Sequence, residues 1–539
     1  MCFSSLWIKY CNEEKKLLFI LTSAAFASSL PLFGILLGFG DDLEYHLLRI
    51  DALANGLKNG QLPVRISTYW NNGYGYASSL FYNDLFLIFP ALLRLLGLSV
   101  QSAYKQYVVT CNIATVCIAW YSFRKIFSKK ISLVGTLIYV FQPYRLSCLY
   151  KRAAVGEYTA MIFYPLIFWG LYNIYSAEPA PKETKGIKRI IYNAKIILPA
   201  VLGYSGIVSS HVISLLLVGT VTIIFCIVML KKTFRPSILI RLLAAVGMII
   251  LVNAWYLIPM ADSMRSGISA NSIASIRNFQ KHGTYTFQLF DIFPNGDGQS
   301  LYAQDEINPP EVGEHDMSYS TGVGIISICI WIYYITANKT KKGKIRTIGN
   351  ASCTLCALCL YMTTIWFPWD FLTRVVPLAA KIFGNIQFSW RYLGLAGILS
   401  TINAMCLIET VNCSHEKTNN IGKIISASFI SLTIISAMYF LHSYEITTKW
   451  NDYTSDAAVA TTHLQGAEYL PDNTKIEIFN NPNPTPSTSV ILSSFERKGD
   501  DIILTLEDKT GLILILMYLS CTIQVMLQDI KLQDKCWIL

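Results

Sequence analysis

Charge is scarce in this chain: only 14% of its 539 residues are Asp, Glu, Lys or Arg, against 53% hydrophobic, and the mean hydropathy is +0.42. That shortage excludes a soluble multidomain protein and points to a polytopic membrane protein. Paired cysteines are missing as well. The 14 Cys stand singly, several inside apolar runs such as Cys353, Cys356 and Cys359, so reduced core thiols are expected rather than a disulfide framework or a zinc site. Histidine is equally sparse, with seven in all. None forms a His-x-x-x-His pair, and His315 between Glu314 and Asp316 does not make a helical metal site. There is no acidic excess. The formal net charge is +10, and its Lys and Arg gather in short loops between apolar segments, a pattern that reports membrane orientation and not nucleic-acid binding. No cleavable signal is evident either. Leu17 to Phe39 is about the length of a bilayer crossing and lacks a small-residue cleavage site, so it is expected to stay as an anchor.

What is present is a series of apolar segments separated by basic clusters. Lys9, Lys15 and Lys16 precede the first span and place the N-terminus in the cytoplasm by the positive-inside rule. The stretch 84–100 holds Pro90 and Arg94 and is taken as interfacial or re-entrant, which keeps Arg124, Lys125, Lys129 and Lys130 inside. The remaining segments then give an all-α polytopic fold of about eleven spans over residues 1–442, with the first extracytoplasmic loop at about 40–104. Residues 190–230, with Gly203, Gly206, Ser209, Ser210 and His211 in the middle, read as a helical hairpin turning at the outer face. From 443 to 539 the composition shifts to Asn, Pro, Ser and Thr with alternating runs such as Ile502 to Leu506. This predicts a small extracytoplasmic β-rich segment, with 512–527 taken as strands in preference to a further span. Its ending is abrupt, as in a truncated domain.

The most expensive residues in this topology lie just beyond the first span, in Gly40-Asp41-Asp42-Leu43-Glu44-Tyr45-His46 followed by Arg49. Adjacent acids beside an imidazole can act as a general base, bind a divalent cation or cap a helix. Leu43, Leu47, Ile50, Leu53 and Leu57 recur at helical spacing, which predicts an amphipathic helix lying on the outer membrane surface. The same face collects Arg65, the aromatic run from Tyr69 to Tyr76, Gln142, Tyr144, Arg145, Arg152, Glu157, His211, Gln387, Trp390 and Arg391. Charges at span edges often only snorkel or pair, and interfacial aromatics are ordinary belt residues. Convergence of separate segments nonetheless suits transfer from an anionic lipid donor. Arginines would hold its phosphate while a carboxylate takes a proton from the acceptor.

Several stretches carry a resemblance. They are Asp41-Asp42-Leu43-Glu44-Tyr45-His46, Gly60-Gln61-Leu62-Pro63-Val64-Arg65, Gly73-Tyr74-Gly75-Tyr76, Arg152-Ala153-Ala154-Val155-Gly156-Glu157-Tyr158, Ser210-His211, Gln387-Phe388-Ser389-Trp390-Arg391 and Glu468-Tyr469-Leu470-Pro471. Together the chain resembles bacterial membrane proteins labelled 6-pyruvoyl-tetrahydropterin synthase-related. Pterin synthases are small soluble zinc enzymes with a His triad, which this chain lacks. The architecture is instead similar to GT-C glycosyltransferases, whose first outer loop carries an acidic motif and which use polyprenyl-phosphate-linked sugars.

That likeness implies a multi-pass membrane glycosyltransferase of the cell envelope, working with membrane lipids, a polyprenyl-phosphate sugar donor and a glycan or protein acceptor. Asp41 or Asp42, with Glu157, would be catalytic, and Arg145, Arg152 and Arg391 would bind donor phosphate. His46, Arg49, Tyr74 and Gln387 would contact substrate. A Mg²⁺ or Mn²⁺ ion, if bound, would take Asp42 and Glu44. The competing readings are a lipid-linked polysaccharide flippase and a noncatalytic envelope-assembly protein.

Overall fold

The structure is a computed structural model. It describes residues 3–67, 70–71, 75–181, 183–265, 280, 283–293, 320–337, 343–383, 386–414, 420–454, 469–470, 490–498, 501–508 and 513–518. The chain divides into two compact units. One comprises 1–44, 104–255 and 275–453, and the other 45–103, 256–274 and 454–539.

The first unit is built of helices. Three are long and apolar enough to cross a bilayer: Gly186–Val208, Ser389–Asn412 and Asn420–Thr447. The apolar helix Pro236–Val252 ends at Asn253, directly before Ala254–Arg265. Together with the apolar composition, these helices make the chain a membrane protein. The expected eleven spans do not appear as eleven long helices among the described residues. The segment 131–150 is split into Lys129–Val140 and Pro143–Leu149, with Gln142 extended at the junction. The segment 158–175 is split into Val155–Met161 and Tyr164–Ser176, where Pro165 stands in the first turn of the second helix. The 190–230 hairpin is present as Gly186–Val208 and Val212–Val228, joined at Ser209 to His211. Two residues from the beginning and end of this unit, Leu37–Gly38, pair antiparallel with Trp450–Asn451.

Small residues set the helix spacing. A Cβ added at Gly170 would stand 2.3 Å from the backbone nitrogen of Ala200, so Tyr164–Ser176 and Gly186–Val208 touch backbone to backbone. Ile174, Ile197, Ala200 and Val201 pack there with Ile238 and Ala245 of Pro236–Val252. Arg241 closes the open end of the Tyr164–Ser176 helix, donating to the carbonyls of Ala177 at 2.8 Å and Glu178 at 2.7 Å. Gly170→Ala has no room to relax because the obstacle is backbone. It is expected to destabilise the protein by about 1–3 kcal/mol, seen as a lowered thermal midpoint in detergent.

The helix Leu43–Lys58 begins two residues before the boundary of the second unit and is followed by Gly60, whose φ of +85° suits glycine. Leu43, Leu47, Ile50 and Leu53 are all buried, so the amphipathic stripe expected on the membrane surface packs against protein. The Leu85–Leu95 stretch rises only about 16 Å, half a bilayer's hydrocarbon thickness. Arg94 pairs with Asp51 at 2.8 Å. Trp70 and Tyr76 stack at 5.1 Å and Tyr76 meets Tyr469 edge-on at 5.7 Å, a loop-packing role for the aromatic run. Val490–Lys498, Asp501–Asp508 and Ile513–Tyr518 form a three-stranded antiparallel sheet with a bulge between Leu492 and Ser494. Ile502 to Leu506 lies in its middle strand, and 519–527 falls outside the described residues.

Candidate active site

The acidic motif is docked by its backbone. The amides of Asp41 and Asp42 donate to the carbonyls of Lys151 at 3.1 Å and Arg152 at 2.8 Å. Gly40 permits this approach, since a Cβ there would lie 2.7 Å from the Ala153 methyl. Ala153 itself has a φ of +50°, a left-handed conformation costing about 1–2 kcal/mol in a residue that carries a Cβ. Strain of this kind is retained where the surroundings impose it, often at functional sites. Gln387, four residues before Arg391, is left-handed as well, with φ +65°.

Behind Asp42 lies a buried ion-pair cluster. Glu157 stands in the first turn of Val155–Met161, where the helix end favours an anion. Its Oε2 meets Arg152 Nη1 at 2.7 Å and lies 3.6 Å from Arg391 Nε, and its Oε1 accepts from the Tyr144 hydroxyl. Glu157, Arg152 and Arg391 are 2%, 4% and 7% exposed. Arg152 also lies 4.4 Å over the Trp390 ring and donates to Cys148 Sγ at 3.4 Å. Burial alone would raise the Glu157 pKa, but the guanidiniums of Arg152 and Arg391 outweigh it and hold the carboxyl down at about 2. Glu157 is thus a fixed anion and a poor proton acceptor at neutral pH.

Asp42 behaves oppositely. It is exposed to water, yet desolvation by the surrounding protein pushes its pKa up, and nearby Glu157 adds to this. Arg152 and Arg391 pull it down without reversing the shift. Two carboxylates whose environments drive them apart can divide their work, one fixed and one able to take up a proton.

His211 caps the Val212–Val228 helix, its Nδ1 accepting from the Ser214 amide at 3.3 Å and lying 2.9 Å from Ser214 Oγ. That bond places the imidazole proton on Nε2.

No family model matches the chain. The label 6-pyruvoyl-tetrahydropterin synthase-related therefore has no match behind it. An uncharacterized protein of Lactococcus lactis subsp. cremoris is 21% identical over 242 residues, covering 42% of this chain and 36% of that protein. Among solved structures, the archaeal oligosaccharyltransferase AglB of Archaeoglobus fulgidus, in complex with an inhibitory peptide and a dolichol-phosphate, is similar with a TM-score of 0.41 and 11% identity. The match covers 86% of this chain and 62% of that one. The apo form of the oligosaccharyltransferase from the same organism gives 0.38 and 13%, over 87% and 60%. The chain thus spans about three fifths of those enzymes, and scores below 0.5 do not assign it to their fold.

The remaining expected site residues are placed as follows. Asp41 is exposed, its Oδ1 4.0 Å from Lys151 Nζ. Arg145 is engaged elsewhere: fully buried, it donates to Val140 O at 2.9 Å, Asn112 Oδ1 at 2.6 Å and Thr115 Oγ1 at 3.0 Å. Gln387 is exposed. Glu44 is partly buried near Tyr453. In the second unit, His46 Nδ1 lies 3.2 Å from Arg49 Nη1, and Arg49 pairs with Asp84 while bonding Tyr82 O at 3.1 Å. Tyr74 and the Glu314 to Asp316 run lie outside the described residues. Among the described residues no three of His, Cys, Asp and Glu come close enough to hold a metal ion. The guanidiniums beside Asp42 suit an anion better than a hard cation. Gly40 and Ala153 do not stand out in the sequence. A glycine directly before paired acids is the one signal that could have marked a backbone docking point.

Proposed function

We propose that the chain is a membrane glycosyltransferase of GT-C kind, moving a sugar from a polyprenyl-phosphate-linked donor to an extracytoplasmic glycan or protein acceptor of the cell envelope. The observation that carries this reading is the juxtaposition of a water-accessible Asp42 with a raised pKa and the buried Arg152 and Arg391. Asp42 accepts the proton of the acceptor hydroxyl as its oxygen bonds to the anomeric carbon. The bond from that carbon to the lipid phosphate oxygen breaks, and the electron pair leaves with the phosphate. Arg391 is the better placed of the two arginines to hold that phosphate. Arg152 is hydrogen-bonded to Glu157, whereas the Arg391 Nε sits 3.6 Å away, within ion-pair but beyond hydrogen-bond reach, and among the described residues its guanidinium donates from Nη1 to Ile386 O at 3.0 Å. Glu157 acts as a positioning residue by fixing both guanidiniums.

Arg391→Lys keeps the charge and loses the planar fork. It is expected to lower kcat/KM for a polyprenyl-phosphate sugar about tenfold through a loss of charge-assisted hydrogen bonding. Unaltered kinetics in this variant would remove Arg391 from the donor site.

A further inference from the structure

The first unit also holds an apolar groove of about 450 Å³ between the helices Tyr164–Ser176, Val212–Val228, Lys344–Thr363 and Leu393–Ser414. Its axis can be read from the helix ends. Tyr164 and Leu395, each at the start of its helix, line one end. Tyr175, Lys232 and Lys344 line the other, where Tyr164–Ser176 and Val212–Val228 finish and Lys344–Thr363 begins. From Tyr164 to Tyr175 the helix rises about 16 Å, close to the hydrocarbon depth of one leaflet. The walls between are apolar, with Ala351 and Leu355 on one side. The Leu393–Ser414 wall belongs to one of the three crossing helices, so the groove lies at membrane depth.

We infer that this groove binds one hydrocarbon chain of an anionic phospholipid, with the phosphate at Lys232 and Lys344. The charge arrangement selects this occupant. Among the described residues, Lys232 is partly exposed, Lys344 is exposed, and neither has a carboxylate partner. Two ammonium groups at the mouth of a leaflet-deep apolar channel complement a lipid that is anionic at the head and apolar below it. The site stands independently of the proposed transfer reaction, because Asp42, Arg152, Glu157 and Arg391 do not line the groove.

The test is native mass spectrometry of the full chain in detergent, titrated with phosphatidylglycerol or phosphatidylcholine of matched acyl chains. Wild type is expected to retain phosphatidylglycerol preferentially, and the preference is expected to weaken as ionic strength rises. Lys232→Gln/Lys344→Gln is expected to reduce it by roughly fivefold per lysine. Ala351→Trp is expected to reduce retention of both lipids by filling the groove. Should that variant fail to fold, the surface lysine pair still decides the matter. Equal retention of the two lipids, a preference unchanged by removing both lysines, or selective retention of polyprenyl phosphate over phosphatidylglycerol overturns the inference.

Discussion

Asp42→Asn is expected to lower sugar transfer from a polyprenyl-phosphate donor by roughly 10²–10⁴-fold, the contribution typical of a positioned general base. Asp41→Asn is expected to stay within a few-fold of wild type. The two neighbours differ in their surroundings. Asp41 is exposed beside Lys151, whereas Asp42 sits against Arg152, Arg391 and Glu157 in a setting that raises its pKa. The substitution should leave the fold intact, because the motif is docked through the Asp42 amide and not through its carboxylate. A base works only when deprotonated, so the acidic limb of the rate profile should have its midpoint above the ordinary aspartate value of 3.8. That limb should disappear from the residual activity of the Asn variant. Reconstituted transfer assays on the two single variants separate the outcomes. Full activity in Asp42→Asn defeats the base assignment. A protein that moves lipid-linked glycan across vesicles while transferring no sugar is instead a flippase.

The membrane class was legible because it depends on composition, and the positions of most helices were legible because apolar runs and basic loops are local. Span lengths were less so. Whether Gln142 or Asn253 interrupts a crossing depends on what packs there: Gln142 lies against Gly397, and Asn253 bonds Ser205 Oγ at 2.9 Å. Neither contact leaves a trace in hydropathy. The amphipathic stripe from Leu43 to Leu53 was visible, but a periodic pattern cannot distinguish lipid from protein as the apolar partner. For the site, sequence brought Asp42, Arg152, Glu157 and Arg391 to one face, and the structure joins those four. It could not separate Arg152 from Arg145, since both are arginines at the ends of neighbouring helical segments. The separation comes from Asn112 and Thr115, which hold Arg145, and from Glu157, which holds Arg152.

Glu157→Gln should be the most destabilising single change in the site, at about 3–5 kcal/mol, because it leaves two buried guanidiniums without their carboxylate. Gln keeps the shape and can still accept from the Tyr144 hydroxyl, so the loss reports charge and not a cavity. The pH dependence provides an independent check. The folded pKa of Glu157 is lowered from 4.5 to about 2, so its stabilising contribution is complete above pH 4.5 and disappears as the pH falls towards 2. Wild-type thermal midpoints in detergent should therefore drop through that window, and Glu157→Gln should lack that component. Adding Arg152→Met to Glu157→Gln removes one stranded charge and should recover part of the loss, giving a coupling energy between the two positions. Additive effects would mean that the 2.7 Å contact contributes nothing to holding the arginines. The donor-binding role would then rest on Arg391 alone. Strong coupling would instead make Glu157 the residue that keeps both guanidiniums charged, buried and oriented next to Asp42.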